Sequence, residues 1–199
     1  MKTSDSSEVI QGDEQCRDGH YRAKQDLRTK TVTSTAGEPV AGLLWATAGF
    51  GQSAHADIVN APGQKISTAQ IHSPGSGIRI DVKVSQLTPG MHAIHVHNVG
   101  KCEGAAFASA GPHFNPASKH HGKDNPEGPH AGDLFMLKVN ADGTGNASLL
   151  DPNATLADGP NSIFHDGGAA LVIHADPDDY KTDPAENSGA RIACGATKK

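Results

Sequence analysis

The amino-acid sequence predicts an all-β protein, folded as a sandwich or flattened barrel of about eight short strands. Three observations favour this class. Segments in which apolar and polar residues alternate recur along the chain, as in half-buried strands. Glycine and proline are frequent, with 23 and 12 positions among 199 residues, which is typical of many turns. Aromatic residues make up only 4% of the chain, and no segment shows a convincing helical period.

The predicted strands follow one another between turn signals. In order they are ADIVNA, KISTAQIHS, IRIDVKV, HAIHVHN, GDLFMLKVN, GNASLL, GAALVIH and GARIAC. Thr88-Pro89-Gly90 turns the chain into the fourth strand, and Asp142-Gly143 predicts a hairpin between the fifth and the sixth. Two long segments, 98–132 and 175–189, are rich in Gly, Pro, Asn and Asp, and each directly follows a histidine-bearing strand. We therefore expect two long functional loops on one compact domain.

The N-terminal part of the chain differs in character from the rest. Residues 1–36 are polar and mixed in charge, which predicts disorder or a non-native leader. The run PVAGLLWATAGFGQSAHA at 39–56 follows basic residues and ends in small-x-small, the pattern of a secretory signal cleaved after Ala56. The predicted organisation is a leader over 1–56 and one domain over 57–199, with no transmembrane segment.

Charge and cysteine content exclude some classes of function. A net charge of −5 and an isoelectric point near 6.1 argue against a nucleic-acid binder, because no basic stripe is present. The three cysteines, Cys16, Cys102 and Cys194, permit one internal bridge and one remaining thiol. Their spacing fits neither a zinc knuckle nor a redox CxxC motif.

Two groups of histidines are candidate metal ligands. His95 and His97 alternate with apolar residues, so they share one face of a strand and can converge on one metal ion. With His174 they form a histidine-only set that suits copper. A second group, with spacings of 8, 9 and 3 residues, supplies the three imidazoles and the carboxylate of a tetrahedral zinc site: His113, His121, His130 and Asp133. The alternative is that each histidine is merely a solvated polar residue.

The segments HAIHVHNVG, SAGPHFNPASKHHG, HAGDL, VIHADPDDY and SGARIACG, in that order, resemble the copper/zinc superoxide dismutase family in its bacterial secreted form. The resemblance covers 57–199. It implies a Greek-key, immunoglobulin-like sandwich that binds copper and zinc. The implied activity is dismutation of superoxide to dioxygen and hydrogen peroxide, as antioxidant defence. It also implies a periplasmic or extracellular location, and it leaves a homodimer open because the family includes monomers and dimers.

Site residues are carried over on the matching motifs. The resemblance implies copper ligands His95, His97, His113 and His174, and zinc ligands His113, His121, His130 and Asp133. His113 is then the bridging imidazole and the proton donor to peroxide. Asp178 is expected to link a copper-ligand histidine to a zinc-ligand histidine, and Arg191 to position the anion. A disulfide is implied between Cys102 and Cys194.

Some assignments keep an alternative. His120 competes with its neighbour His121 as zinc ligand, and the spacing favours His121. His92 is expected on the opposite strand face, hydrogen-bonded to loop backbone. A metal-delivery protein on the same sandwich and a zinc hydrolase are the competing functions, and the complete ligand sets and Arg191 favour the dismutase over both.

Overall fold

The computed structural model describes residues 51–183 and 187–199. The predicted leader up to residue 50, including Cys16, lies outside the described residues. Nine strands and one 3-10 turn (Ala108–Ala110) are present in the described part. The strands are β1 (Ser53–Asn60), β2 (Lys65–His72), β3 (Ile78–Val84), β4 (Gly90–His92), β5 (Ile94–His97), β6 (Leu137–Val139), β7 (Gly145–Asp151), β8 (Ala170–His174) and β9 (Arg191–Lys198).

All strand pairs are antiparallel, in the order β4-β6-β7-β3-β2-β1-β9-β8-β5. The two end strands of this order, β4 and β5, are consecutive in the chain and are joined through Ala93 alone. The sheet therefore curls until its two ends meet, which makes a nearly closed barrel. The predicted all-β class is confirmed. No helix among the described residues is long and apolar enough to cross a membrane.

The count of nine strands, where eight were predicted, comes from Ala93. The stretch HAIHVHN was expected as one strand, but β4 pairs with β6 while β5 pairs with β8. At the break, the Ala93 N–H donates to the carbonyl of Asp176, and its own carbonyl accepts from the N–H of His174. The chain therefore changes its pairing partner at this residue, from β6 to β8.

The core of the barrel is built from the alternating apolar positions that the sequence shows. Ile58, Ile71 and Ile80 from β1, β2 and β3 are almost completely buried, and Leu171 from β8 packs in the same cluster. Their intervening neighbours on β1 and β3 are partly or fully exposed. Burial of one face per strand is the hydrophobic driving force that fixes the register.

The first strand begins before the predicted domain boundary. Ser53–Ala56 were assigned to the leader, yet they form the first half of β1. Ala54 and Ala56 are 4% and 0% exposed and pair with Ile71 and Ala69 of β2. Small side chains at alternate positions resemble a small-x-small cleavage signal in sequence, and here they are the inward positions of a strand.

Long loops join the strands at the ends of the barrel. The predicted loops after β5 and after β8 are present, and a third, between Asp151 and Ala170, buries Leu156 and Ile163. The first loop is tied to β9 by a disulfide between Cys102 and Cys194, whose Cα atoms lie 5.6 Å apart. The bridge closes a segment with a sequence separation of 92, which stabilises the fold by about 4 to 5 kcal/mol on the chain-entropy model.

Candidate metal centre

Two neighbouring strands and one loop present the first group of histidines. His95 and His97 lie on β5, which pairs with β8, the strand that ends in His174. The loop after β5 folds back on the same strand, because the N–H of Phe114 donates to the carbonyl of Val96 over 2.8 Å. This contact is backbone pairing, so it fixes His113 opposite His97.

The first group brings one ring nitrogen from each of four buried histidines within 4.8 Å of one another: His95, His97, His113 and His174. The Nδ1 atom of His97 lies 2.8 Å from the carbonyl oxygen of Gly111. Its Nε2 atom is buried and has no hydrogen-bond partner among the described residues. A buried, unsatisfied nitrogen facing three other imidazoles is what a metal ligand shows without its ion.

Burial sets the charge of His97. Desolvation, with the neighbouring His113 as a smaller cause, lowers the pKa of His97 to about 2. The imidazole is therefore neutral at physiological pH. Neutral imidazole is the form that coordinates a metal.

The second group is arranged around one carboxylate oxygen. Oδ1 of Asp133 lies 2.9, 3.1 and 3.2 Å from the Nδ1 atoms of His113, His121 and His130. The Nδ1 atoms of His113 and His130 are 3.4 Å apart. A tetrahedral zinc ion with bonds of about 2.0–2.1 Å separates its ligands by about 3.3 Å. The four atoms thus fit a zinc ion with little movement.

Hydrogen bonds from the backbone hold this carboxylate in place. Oδ2 of Asp133 accepts the N–H groups of Gly122 (2.8 Å) and His130 (2.9 Å). Burial raises the pKa of Asp133, but hydrogen bonds from the three histidines outweigh it and hold the pKa well below its usual range. Burial likewise opposes the charged form of His121, yet Asp133 and Asp178 raise its pKa to about 10. A metal that binds here must displace the proton on His121.

One carboxylate connects the two groups. Oδ2 of Asp178 lies 2.7 Å from Nε2 of His95, and Oδ1 lies 3.0 Å from Nε2 of His121. Both imidazoles are thereby oriented through the nitrogen opposite to the one that would hold a metal. Asp178 therefore contacts one histidine of each group.

Arg191 lines a cavity, and Gly111 of the same lining contacts His97 of the first group. Its Nη1 and Nη2 atoms donate to the carbonyl oxygens of Phe107 (3.0 Å) and Gly111 (2.8 Å). The cavity has a volume of about 570 Å³. It is lined, besides Arg191, by Ala105, Ala106, Ala108, Gly111, Gly189 and Ala190. Arg191 is the charged side chain in that lining, which makes the cavity suitable for a small anion.

His120, His121 and His92 differ in burial and in contacts. The structure places His121 in the second group, whereas His120 is exposed and lies near Asp183. His92 is buried at the end of β4, with its ring nitrogens 2.8 Å from the carbonyl oxygens of His174 and Thr88. The expected structural role of His92 is confirmed.

Three contributors to the site were not predicted. Phe107 and Gly111 act through their carbonyl groups, and Asp183 acts on the loop that carries His121. No sequence signal marks a backbone carbonyl as an arginine partner. The carboxylate of Asp183 was visible in the sequence, but it stands five residues after Asp178 in a loop with several acidic residues.

Taken together, the fold and the site define a β-barrel protein with two adjoining groups of candidate metal ligands that share one histidine. Comparisons with known proteins agree. The sequence model of the family described as copper/zinc superoxide dismutase (SODC) matches residues 65–197, and the chain belongs to this family.

Individual relatives support the same assignment. The chain is 50% identical over 146 residues to superoxide dismutase [Cu-Zn] 1 of Aquifex aeolicus, covering 72% of this chain and 86% of the relative. A SOD-like protein of Bacillus subtilis superposes with a TM-score of 0.69 at 40% identity, covering 71% and 96% of the two chains. The Cu/Zn superoxide dismutase of Brucella abortus gives 0.58 at 30% identity, with 73% and 99% covered.

The predicted activity follows from family membership. The protein is a superoxide dismutase that uses copper and zinc, converts superoxide to dioxygen and hydrogen peroxide, and serves antioxidant defence. The competing functions, metal delivery and zinc hydrolysis, are not the functions of the named dismutases that it resembles.

Proposed function

We propose that copper is held by His95, His97, His113 and His174, and zinc by His113, His121, His130 and Asp133. The observation that carries this proposal is the membership of His113 in both groups, since one imidazole has two nitrogens and can serve two ions. Its Nδ1 atom lies beside Asp133, so the ring would reach the copper group through its other nitrogen.

The residues then divide the work of the reaction. Bound copper supplies the one-electron chemistry that two superoxide anions require, and zinc, which has one stable oxidation state, adds fixed positive charge. Arg191 provides a permanent cation in the lining of the cavity, held by two carbonyl groups, and orients the anion. His113 carries one of the two protons that hydrogen peroxide takes up, because histidine exchanges protons near neutral pH, and water supplies the other.

A pair of variants tests the copper assignment. Superoxide decay is followed by stopped flow on protein loaded with both metals, with the content of each metal measured. His174→Ala should lose copper and dismutation while it keeps zinc. His72→Ala, a partly exposed histidine of β2, is the control and should match the wild type. Wild-type activity in His174→Ala would overturn the assignment.

The proposal includes a place of action outside the cytoplasm, in the periplasm or extracellular space. The disulfide between Cys102 and Cys194 supports it, because such bonds persist in oxidising compartments. The signal-like sequence pattern of residues 39–52 is its second support. Since Ser53–Ala56 belong to β1, cleavage should occur before Ser53. Cell fractionation and N-terminal sequencing test this, and a reduced cytoplasmic protein with an intact N-terminus would contradict it.

A homodimer completes the proposal. Met91, Phe135 and Leu150 are large apolar side chains that are 41%, 57% and 45% exposed, and a second copy would cover such surface. Light scattering on the metal-loaded protein is expected to give twice the mass of the chain. A single-chain mass at micromolar concentration would exclude the dimer.

A further inference from the structure

Asp183 connects the loop after β8 to the loop after β5. The loop after β5 carries the histidines of the second group, His113, His121 and His130, and is called the zinc-group loop. Its Oδ1 atom accepts the backbone N–H of His121 over 2.5 Å. The same oxygen lies 3.9 Å from Nε2 of His130, within ion-pair range, although too far for a hydrogen bond. Its Oδ2 atom lies 3.2 Å from Nδ1 of His120. One side chain thus contacts three histidines of the zinc-group loop.

The position of Asp183 parallels that of Asp178. Oδ1 of Asp178 contacts Nε2 of His121, which is the outer nitrogen of the ring, since Nδ1 is the atom beside Asp133. Asp183 lies nearest the corresponding outer nitrogen of His130, whose Nδ1 is the atom beside Asp133. At 3.9 Å the Asp183 carboxylate places a negative charge beside the His130 imidazole, which favours a bound cation, whereas the hydrogen bond from Asp178 also orients the His121 ring. The two carboxylates therefore serve two different histidines of the group.

We propose that Asp183 is a positioning residue that retains zinc. It fixes the backbone at His121 and places a negative charge beside His130, so that the loop cannot open without breaking the contact to the neighbouring loop. This inference rests on the proposed zinc ligands. It concerns the rate at which zinc leaves, which the ligand assignment alone does not determine.

The same loop supplies a matched control residue. Asp179 also uses both oxygens of its carboxylate, but it accepts from groups within its own loop: the N–H groups of Lys181 and Thr182, the Thr182 hydroxyl and the Asn187 amide. A change at Asp179 perturbs the loop itself. A change at Asp183 removes its link to the zinc group. Comparison of the two separates a general loop effect from the proposed one.

The experiment measures zinc release from the fully loaded protein to a chromophoric chelator, with copper content followed in parallel. Asp183→Ala should release zinc about tenfold faster than the wild type. Asp183→Asn should fall between them, because an amide oxygen can still accept the His121 N–H but lacks the charge near His130. Asp179→Asn should release zinc at the wild-type rate.

Several outcomes would overturn the inference. The inference fails if both Asp183 variants release zinc at the wild-type rate, or if Asp179→Asn releases zinc as fast as Asp183→Ala. If Asp183→Ala does not fold, Asp183→Asn alone decides, since it is nearly isosteric. The variant His130→Ala tests the ligand proposal itself. If its zinc content equals that of the wild type, zinc does not bind at His113, His121, His130 and Asp133, and the ligand proposal is refuted instead. The two failures are thus distinguishable.

Discussion

His95 and Asp178 are in direct contact, with Nε2 of the imidazole 2.7 Å from Oδ2 of the carboxylate and both side chains fully buried. The other oxygen of Asp178 reaches His121 in the second group. Burial raises the pKa of Asp178, but hydrogen bonds from His121 and His95 outweigh it, and the net pKa lies below its usual range. A single anion thus orients one histidine of each group.

Replacing Asp178 with Asn tests this link. An amide has one acceptor oxygen and an NH2 group that must donate, so it cannot accept from both imidazoles. We expect zinc affinity to fall by about 10- to 100-fold, measured by competition with a chelator. Asp179→Asn is again the control. Unchanged zinc affinity in Asp178→Asn would mean that the contact does not orient His121.

Arg191 is expected to act by charge and by fixed geometry. Arg191→Ala should lower the rate of dismutation by about tenfold and weaken its dependence on salt, because the cation that attracts the anion is gone. Arg191→Lys should recover only part of the rate, since an ammonium group lacks the planar fork that meets the carbonyls of Phe107 and Gly111.

The control for Arg191 is Arg79→Ala. Arg79 is a partly exposed arginine of β3 that donates to the hydroxyl of Ser148. Its replacement should leave both the rate and its salt dependence unchanged in stopped-flow assays at increasing ionic strength. Equal losses from the two variants would show that net charge, and not the position of Arg191, sets the rate.

Asp151 is expected to make stability fall as pH rises. Desolvation raises the pKa of this carboxyl to about 7 in the folded protein, against about 4 in the unfolded chain. Its Oδ1 accepts the N–H groups of Asn153 and Ala154, while Oδ2 is buried and has no partner among the described residues. The folded state keeps a proton that the unfolded state releases, so stability is lost between about pH 4 and pH 7.

The variant Asp151→Asn removes that ionisation and keeps an acceptor oxygen for the two N–H groups. The difference in the free energy of unfolding, variant minus wild type, should therefore increase with pH by up to about 4 kcal/mol and level off above about pH 7. Denaturant unfolding at a series of pH values measures it. A difference that stays constant from about pH 4 to pH 8 would contradict the prediction.

Gly122 is expected to be essential to the conformation of the zinc-group loop. Its φ is +95°, and a Cβ at this position would overlap the carbonyl oxygen of Tyr180. Gly122→Ala must shift the two loops apart, and with them the N–H that Asp133 accepts. Gly63→Ala is the control. Gly63 has a φ of +82°, and an added Cβ would have no neighbour within 4 Å, so its replacement loses only the free energy of holding alanine in a left-handed backbone conformation, about 1–2 kcal/mol.

Measurement of both glycine variants separates the two effects. Gly122→Ala should lose more free energy of unfolding than Gly63→Ala, and it should also lose zinc, measured by metal analysis after dialysis. Equal destabilisation with full zinc content in both variants would show that the loops adjust to the added methyl group.

Several features could be predicted from the amino-acid sequence because they depend on local patterns. Alternating residues predicted β3 over the same residues, Ile78–Val84, that form the strand. The pattern of His95 and His97 placed both on one strand face, and the spacing of His113, His121, His130 and Asp133 predicted a group that the structure brings together. Strand period and the residue types of a candidate ligand set belong to short segments, so local patterns are enough to predict them.

Other features could not be read in this way. The break at Ala93 depends on two strands that are far away in the sequence, β6 and β8, and no local sequence pattern predicts it. The inclusion of Ser53–Ala56 in β1 is decided by pairing with β2, against a segment that also fits a cleavage signal. The roles of the Phe107 and Gly111 carbonyls exist only once Arg191 is brought beside them.

The sequence by itself determined the all-β class, the ligand types and the family, since these reside in side-chain chemistry and in the order of motifs. Tertiary structure decided which atoms meet: His113 in both groups, Asp178 between His95 and His121, and Asp183 against the zinc-group loop. The physical reason is distance. A metal ligand set requires donor atoms within a few ångströms, and closure of the barrel, with loops pinned to it by backbone hydrogen bonds, brings distant residues to that separation.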